Sequence, residues 1–158
     1  MKELLNFNMK ELFNNKLLWI PIITWFVVQF VKLIVEIVSA KDRKINFKRV
    51  IGAGGMPSSH TACIASLATS IGMSQGFGSP LFAFAVVMCL IIMYDAQGVR
   101  RAAGKQAAVL NKIIESDGKD LNIQEKLVEL LGHTPLEVFV GAIVGIAFGI
   151  IFSLLWDL

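Results

Sequence analysis

The run LLWIPIITWFVVQFVKLIVEIV, Leu17 to Val38, decides the fold. At about 1.5 Å of rise per residue, a helix of this length crosses a hydrocarbon core of about 30 Å. Pro21 lies in its first turns, where a missing N–H matters least. Near its far end Lys32 and Glu36 lie four apart on one helix face. Two readings of Lys32 stand side by side: an ion pair with Glu36 while the ammonium snorkels to the interface, or a lysine facing a polar cavity, as intramembrane charges commonly do.

The rest of the chain agrees with a membrane protein. Of 158 residues 55% are hydrophobic and 17% charged, with mean hydropathy +0.66, too apolar for an ordinary soluble domain. The net charge of +3 and pI near 9.0 come from basic residues beside apolar segments, not from a stripe with interleaved aromatics, which sets nucleic acid aside. Cys63 and Cys89 fall inside apolar segments without CxxC spacing, so packing is their expected role. Further spans are expected over 61–75, 81–95 and 136–156, giving an all-α polytopic transmembrane helix bundle of about four spans in a single domain, 1–158. Residues 1–16, with Lys2, Lys10 and Lys16 among Leu and Phe, read as an interfacial helix. Residues 39–60 form the most basic loop, which the positive-inside rule assigns to the cytoplasm, and 96–135 read as short cytoplasmic helices. Both termini then lie outside, with Trp19 and Trp156 as interface anchors. Gly141, Gly145 and Gly149 recur every four residues along the last span, a strip that admits a close helix neighbour within the bundle or across a homodimer.

Chemistry concentrates in Gly54-Gly55-Met56-Pro57-Ser58-Ser59-His60. Glycine and proline permit a sharp turn, Ser58 and Ser59 are natural N-caps, and the unpaired N–H groups of the following helix make an anion cradle. His60 at its lip can give and take protons near neutral pH. Lys48 and Arg49, a few residues earlier, can grip phosphate oxygens. A capped helix with an incidental histidine is the plain alternative. The second histidine, His133, weighs against it, because it too opens an apolar helix from a polar turn on the same expected face, after the helix stop Gly132. Glu137, one helical turn on, can orient its imidazole or raise its basicity. The 61–75 and 81–95 segments form a hairpin around the turn 76–80, which brings Asp95 back toward His60.

With these elements in place, residues 32–145 resemble the divergent bacterial and plant branch of the lipid phosphatases in the type-two phosphatidic acid phosphatase and vanadium haloperoxidase superfamily. Pro57-Ser58-Ser59-His60 is similar to that superfamily's Pro-Ser-Gly-His element. His133-Thr134-Pro135-Leu136-Glu137 is similar to the histidine half of its third element, and Asp95-Ala96-Gln97-Gly98-Val99-Arg100-Arg101-Ala102-Ala103-Gly104 looks typical of the divergent branch. The resemblance implies a membrane lipid phosphate or diphosphate phosphatase that needs no metal or other cofactor, expected in a bacterial cytoplasmic membrane, and the charge of the 39–60 loop puts its site on the cytoplasmic face. His133 would be the nucleophile, forming a phosphohistidine with its ring oriented by Glu137, and His60 the acid and base. Ser58, Ser59, Arg49 and Lys32 or Lys48 would hold the phosphate oxygens. The chain departs from the pattern where an arginine should stand six residues before His133 and Leu127 stands instead. Val50 follows Arg49 in place of proline, Ser59 replaces glycine and Glu137 replaces aspartate. Arg100 or Arg101 would supply the missing charge. Two other readings follow: a non-hydrolytic member that binds or translocates a lipid phosphate, and a structural membrane protein assembled through the glycine strip.

Overall fold

The computed structural model describes residues 9–39, 55–117, 127 and 132–158, and the described part is built of helices. These are α1 (Met9–Asn14), α2 (Lys16–Ser39), α3 (Ser59–Gln75), α4 (Pro80–Gln97), α5 (Val99–Asp117) and α6 (Pro135–Leu155). Of the expected N-terminal helix, α1 is the described piece, and it buries no residue. Asn15 ends it and caps α2, its side-chain oxygen accepting the Leu18 N–H at 3.2 Å.

The expected spans 17–38, 61–75 and 81–95 fall within α2, α3 and α4, and 136–156 matches α6 except for Trp156, which is its C-cap. Among the described residues three stretches are long and apolar enough to cross a membrane: Lys16–Val38, Pro80–Ile114, which contains α4, and Pro135–Leu155. Helix α3 differs in kind. It is 17 residues long and rich in Ala, Ser and Thr, and it is the central helix, packed by α2, α4 and α6. Small side chains there let three neighbours approach at once, which matters in lipid because helix association rests on close contact, not on expelling water. Outer faces carry Phe26, Phe30, Phe84, Leu90 and Phe139, all exposed to where lipid would be.

Local chemistry sets the helix starts. Ser79 caps α4 by accepting the Phe82 N–H, with Pro80 at the first helical position. Thr134 and Glu137 form a reciprocal capping box on α6, again followed by a proline start. The lysine side chain of Lys16 donates to the Trp156 carbonyl, so α2 begins beside the end of α6, at the pole opposite both histidines.

The glycine strip lies inside the bundle. A Cβ on Gly141 would come within 2.6 Å of the Ser58 carbonyl oxygen, one on Gly145 would strike Ala62, and one on Gly149 would meet Thr69 and Ser66. All three glycines are buried against α3, so the strip is not a free surface for a second copy. The constant offset between partners shows α3 and α6 running in the same direction.

Candidate active site

Two polar turns meet at one pole of the bundle. The first turns at Gly55, whose φ of +90° favours glycine, and reaches Ser58, the N-cap of α3. Ser58 Oγ accepts from the Thr61 hydroxyl at 3.0 Å and from its N–H at 3.4 Å. The Ser58 N–H donates to the Glu137 carbonyl at 3.0 Å, tying the start of α3 to the start of α6. The second turn pivots on Gly132 at φ +84°, where a Cβ would collide with the backbone of Arg100 and Arg101. One residue on, the His133 N–H donates to the Ala96 carbonyl at 3.0 Å. His133 is thus fastened to the α4–α5 joint and His60 to the α3–α6 joint, and the two joints place the imidazole centroids 6.5 Å apart at 78°.

Between α2 and α4, with α3 as its floor, lies a cavity of about 410 Å³. Its polar lining is His60, His133, Asp95 and Arg100; Trp25, Ile64, Ile91 and Ile92 line its apolar part. Arg100 Nε donates to Asp95 Oδ2 at 2.6 Å, so one edge of the guanidinium is held by a carboxylate. His133 is 3% exposed, and neither of its ring nitrogens has a hydrogen-bond partner among the described residues. Buried nitrogens in that state are rare in folded proteins and mark a place where a ligand atom or water belongs. Burial holds the His133 pKa down, at about 4; the nearby Glu137 carboxylate opposes this, while Lys32, His60 and Arg100 reinforce it. At neutral pH the ring is therefore unprotonated and able to act as a nucleophile or base.

Of the residues singled out from sequence, the structure brings His60, His133, Asp95 and Arg100 onto one cavity. Lys32 is 4% exposed and electrostatically coupled to both histidines and to Glu137, so it serves the polar pole of the bundle. Glu137 does not hydrogen-bond the His133 ring: its Oε2 accepts the Thr134 N–H at 2.8 Å, completing the cap, and its influence on the ring is through space. Ser58 has its N–H engaged in joining α3 to α6 and its Oγ in capping α3, and Ser58 and Ser59 are buried outside the cavity lining. Both arginines place backbone against Gly132, but Arg101 is absent from the lining, which separates it from Arg100. Lys48 and Arg49 lie outside the described residues, as does most of the 39–60 loop. Leu127 is held by Asn111, whose side-chain amide bonds both its N–H and its carbonyl, at 3.0 and 2.9 Å.

Sequence reasoning passed over the walls. Trp25 stands seven residues before Lys32, two turns back on the same face, and Ile91 stands four before Asp95. Those spacings were readable once Lys32 and Asp95 had been chosen.

A family model described as the Divergent PAP2 family matches residues 13–148. The chain is also 38% identical over 148 residues to a Bacillus subtilis (strain 168) protein described as uncharacterized membrane protein YuiD, covering 86% of this chain and 92% of that protein. No solved structure matches.

Proposed function

The chain belongs to the Divergent PAP2 family, and from that premise we propose that it is a membrane phosphatase acting on a lipid phosphate or diphosphate through a histidine nucleophile. One observation carries the reading: His133, buried with both ring nitrogens unpartnered, shares a cavity with His60 and Arg100 whose remaining walls suit a hydrocarbon chain. A neutral His133 nitrogen attacks phosphorus, the bond from phosphorus to the leaving oxygen breaks, and His60 gives that oxygen its proton. Water then attacks the phosphohistidine while His60, now neutral, takes up the water proton. Inorganic phosphate leaves and His133 returns to its starting state. Arg100 and Lys32 stabilise the oxygens of the transferring group, with Lys48 and Arg49 of the basic loop as further donors. The loop's charge assigns this pole to the cytoplasmic face.

The test is phosphate release from lipid phosphates by protein reconstituted in vesicles, with acid-labile, base-stable labelling of the wild type and none in His133→Ala. Loss of turnover by about 10³-fold or more is expected for that variant. Full activity in His133→Ala would end the mechanism.

A second reading has its own observation. Leu127, where the resemblance would place an arginine, is clasped by Asn111 as a structural contact. A protein that binds or translocates a lipid phosphate without cleaving it would show phosphate-dependent protection of His133 but no covalent label. Steady phosphate release would eliminate it.

A further inference from the structure

The apolar stretch Pro80–Ile114 runs through Gly98 into α5, but from Val99 on it carries Arg100, Arg101, Lys105 and Lys112, more charge than a hydrocarbon core accepts. Gly98, at φ −93° and ψ −88°, interrupts the helix between α4 and α5, and α5 starts two residues after α4 ends. Its first turn therefore lies at the depth where α4 leaves the membrane. From there three faces can be assigned at helical period. Ala107 and Asn111 are buried, and Asn111 clasps Leu127. On the far side Val99, Val109 and Leu110 are 64%, 58% and 49% exposed. Arg101, Lys105 and Lys112 share the edge between those two faces, and the stretch 99–114 contains no acidic residue; Glu115 and Asp117 come only in the last turn.

A helix wholly in water has little reason to expose large aliphatic side chains along one face. Among the described elements α5 has substantial contact with α4 alone, so no other described helix covers that face. A basic edge beside an apolar face, on a helix that starts at the membrane boundary, has the chemistry of an in-plane interfacial segment. The aliphatic side chains enter the acyl boundary, and the lysines meet anionic headgroups.

We infer that α5 lies in the headgroup layer of the leaflet at the histidine pole and binds it through anionic lipid, seating Val109 and Leu110 in the acyl boundary. This makes α5 a lipid-reading surface separate from the cavity, and it stands whether or not the protein is a phosphatase. Its functional consequence is that Arg100, in the first turn of α5, stays at headgroup depth beside His133.

The experiment uses the full chain with a nitroxide on Val109→Cys, in a Cys63→Ala, Cys89→Ala background, reconstituted in phosphatidylcholine vesicles with or without phosphatidylglycerol. Leu110→Cys serves as a second site should the first variant fold poorly. In anionic vesicles the label should collide readily with oxygen and be shielded from a water-soluble nickel chelate. Lys105→Gln and Lys112→Gln should each shift the ratio of seated to lifted helix about fivefold toward the chelate-accessible form, in anionic vesicles only. Free chelate access in both vesicle types would place the face in water and overturn the inference. Shielding from both probes would show protein cover, such as a second copy, and overturn it too. Equal seating in neutral and anionic vesicles would remove the anionic partner.

Discussion

The two flanks of α3 are built on opposite terms. Along the line where α3 meets α6, Gly141, Gly145 and Gly149 bring the backbones so close that a single methyl group would strike the facing chain. Toward α2 and α4 the helix is also packed, through Ala68, Ile71 and Ala85, but at the histidine pole a cavity of about 410 Å³ remains, with two histidines and an arginine at its polar end. In a bilayer, association is won by close contact, so one tightly fitted seam can hold the bundle while the opposite flank stays open for a ligand. The seam also positions the site. The Ser58 N–H bonds to the Glu137 carbonyl at the top of the seam, two residues before His60 and four after His133.

The strongest way to break this comparison is to fill the seam. Gly145→Val should cost about 3 kcal/mol or more, because the clash is with the Ala62 backbone, which cannot swing aside. The gain from removing a helical glycine, about 1 kcal/mol at most, does not offset that. Thermal unfolding in detergent should fall sharply, and any phosphatase activity should go with it. A Gly145→Val protein with wild-type unfolding would show that the seam is not what holds α3 to α6.

Next in size are changes on the open flank, which should spare stability. Arg100→Ala is expected to lower kcat/KM by about 10²-fold, as loss of one donor to a developing oxyanion commonly does. Arg100→Lys should recover only part, since a lysine keeps the charge but not the fork that Asp95 holds by its Nε edge. Unfolding temperatures should stay within a few degrees of wild type for both. Equal losses of stability and activity would mean that Arg100 braces the α4–α5 joint instead of binding phosphate.

Titration separates the flanks more gently. The folded pKa of His133, about 4, lies below its ordinary 6.5, so in the window between them the unfolded chain binds the proton first. The stability that comes from burying the neutral ring is full above the unfolded value and is lost as pH falls toward 4. Phosphoryl transfer to His133 should not fail through its own protonation over the same window. The check is the unfolding temperature of wild type minus that of His133→Ala from pH 7 to pH 5. The difference should decline with pH, and a flat difference would mean the ring is solvated.

What could be read in the sequence was what is local. Runs of apolar residues gave the apolar helices, and Ser58 before its helix gave one start, because caps are chemistry between near neighbours. The pairing of His60 with His133 followed from helix directions alone. Partner choice was not legible: a glycine every fourth residue states that something comes close, not what, and the structure answers with α3. The cavity walls depend on helix rotation, so Trp25 and Ile92 carried no signal of their own. Glu137 shows a different failure. Thr134 and Glu137 stand at capping-box spacing, and that local bond takes the carboxylate before the imidazole can. Arg100 and Arg101 were alike in sequence and are separated by position alone, Arg100 lining the cavity and Arg101 not.

The smallest effect is expected where the seam carries polar atoms it does not use. Ser153 continues the glycine series, and the offset that pairs Gly149 with Ser66 pairs it with Ser70. Both serines are fully buried, and both hydroxyls lack a hydrogen-bond partner among the described residues. An unsatisfied buried hydroxyl contributes nothing as a bond and costs its desolvation, so replacing both partners with apolar groups of like shape is close to neutral or stabilising. Ser70→Ala with Ser153→Ala should therefore leave the stability unchanged or raise it slightly, by less than about 1 kcal/mol, as read from the unfolding temperature, with activity intact. If the pair instead loses stability by more than that, the hydroxyls are engaged after all, through a buried water that joins them. The far end of the seam would then be held by polar contact as well as by close approach, and the contrast between the two flanks would be one of hydration as much as of packing.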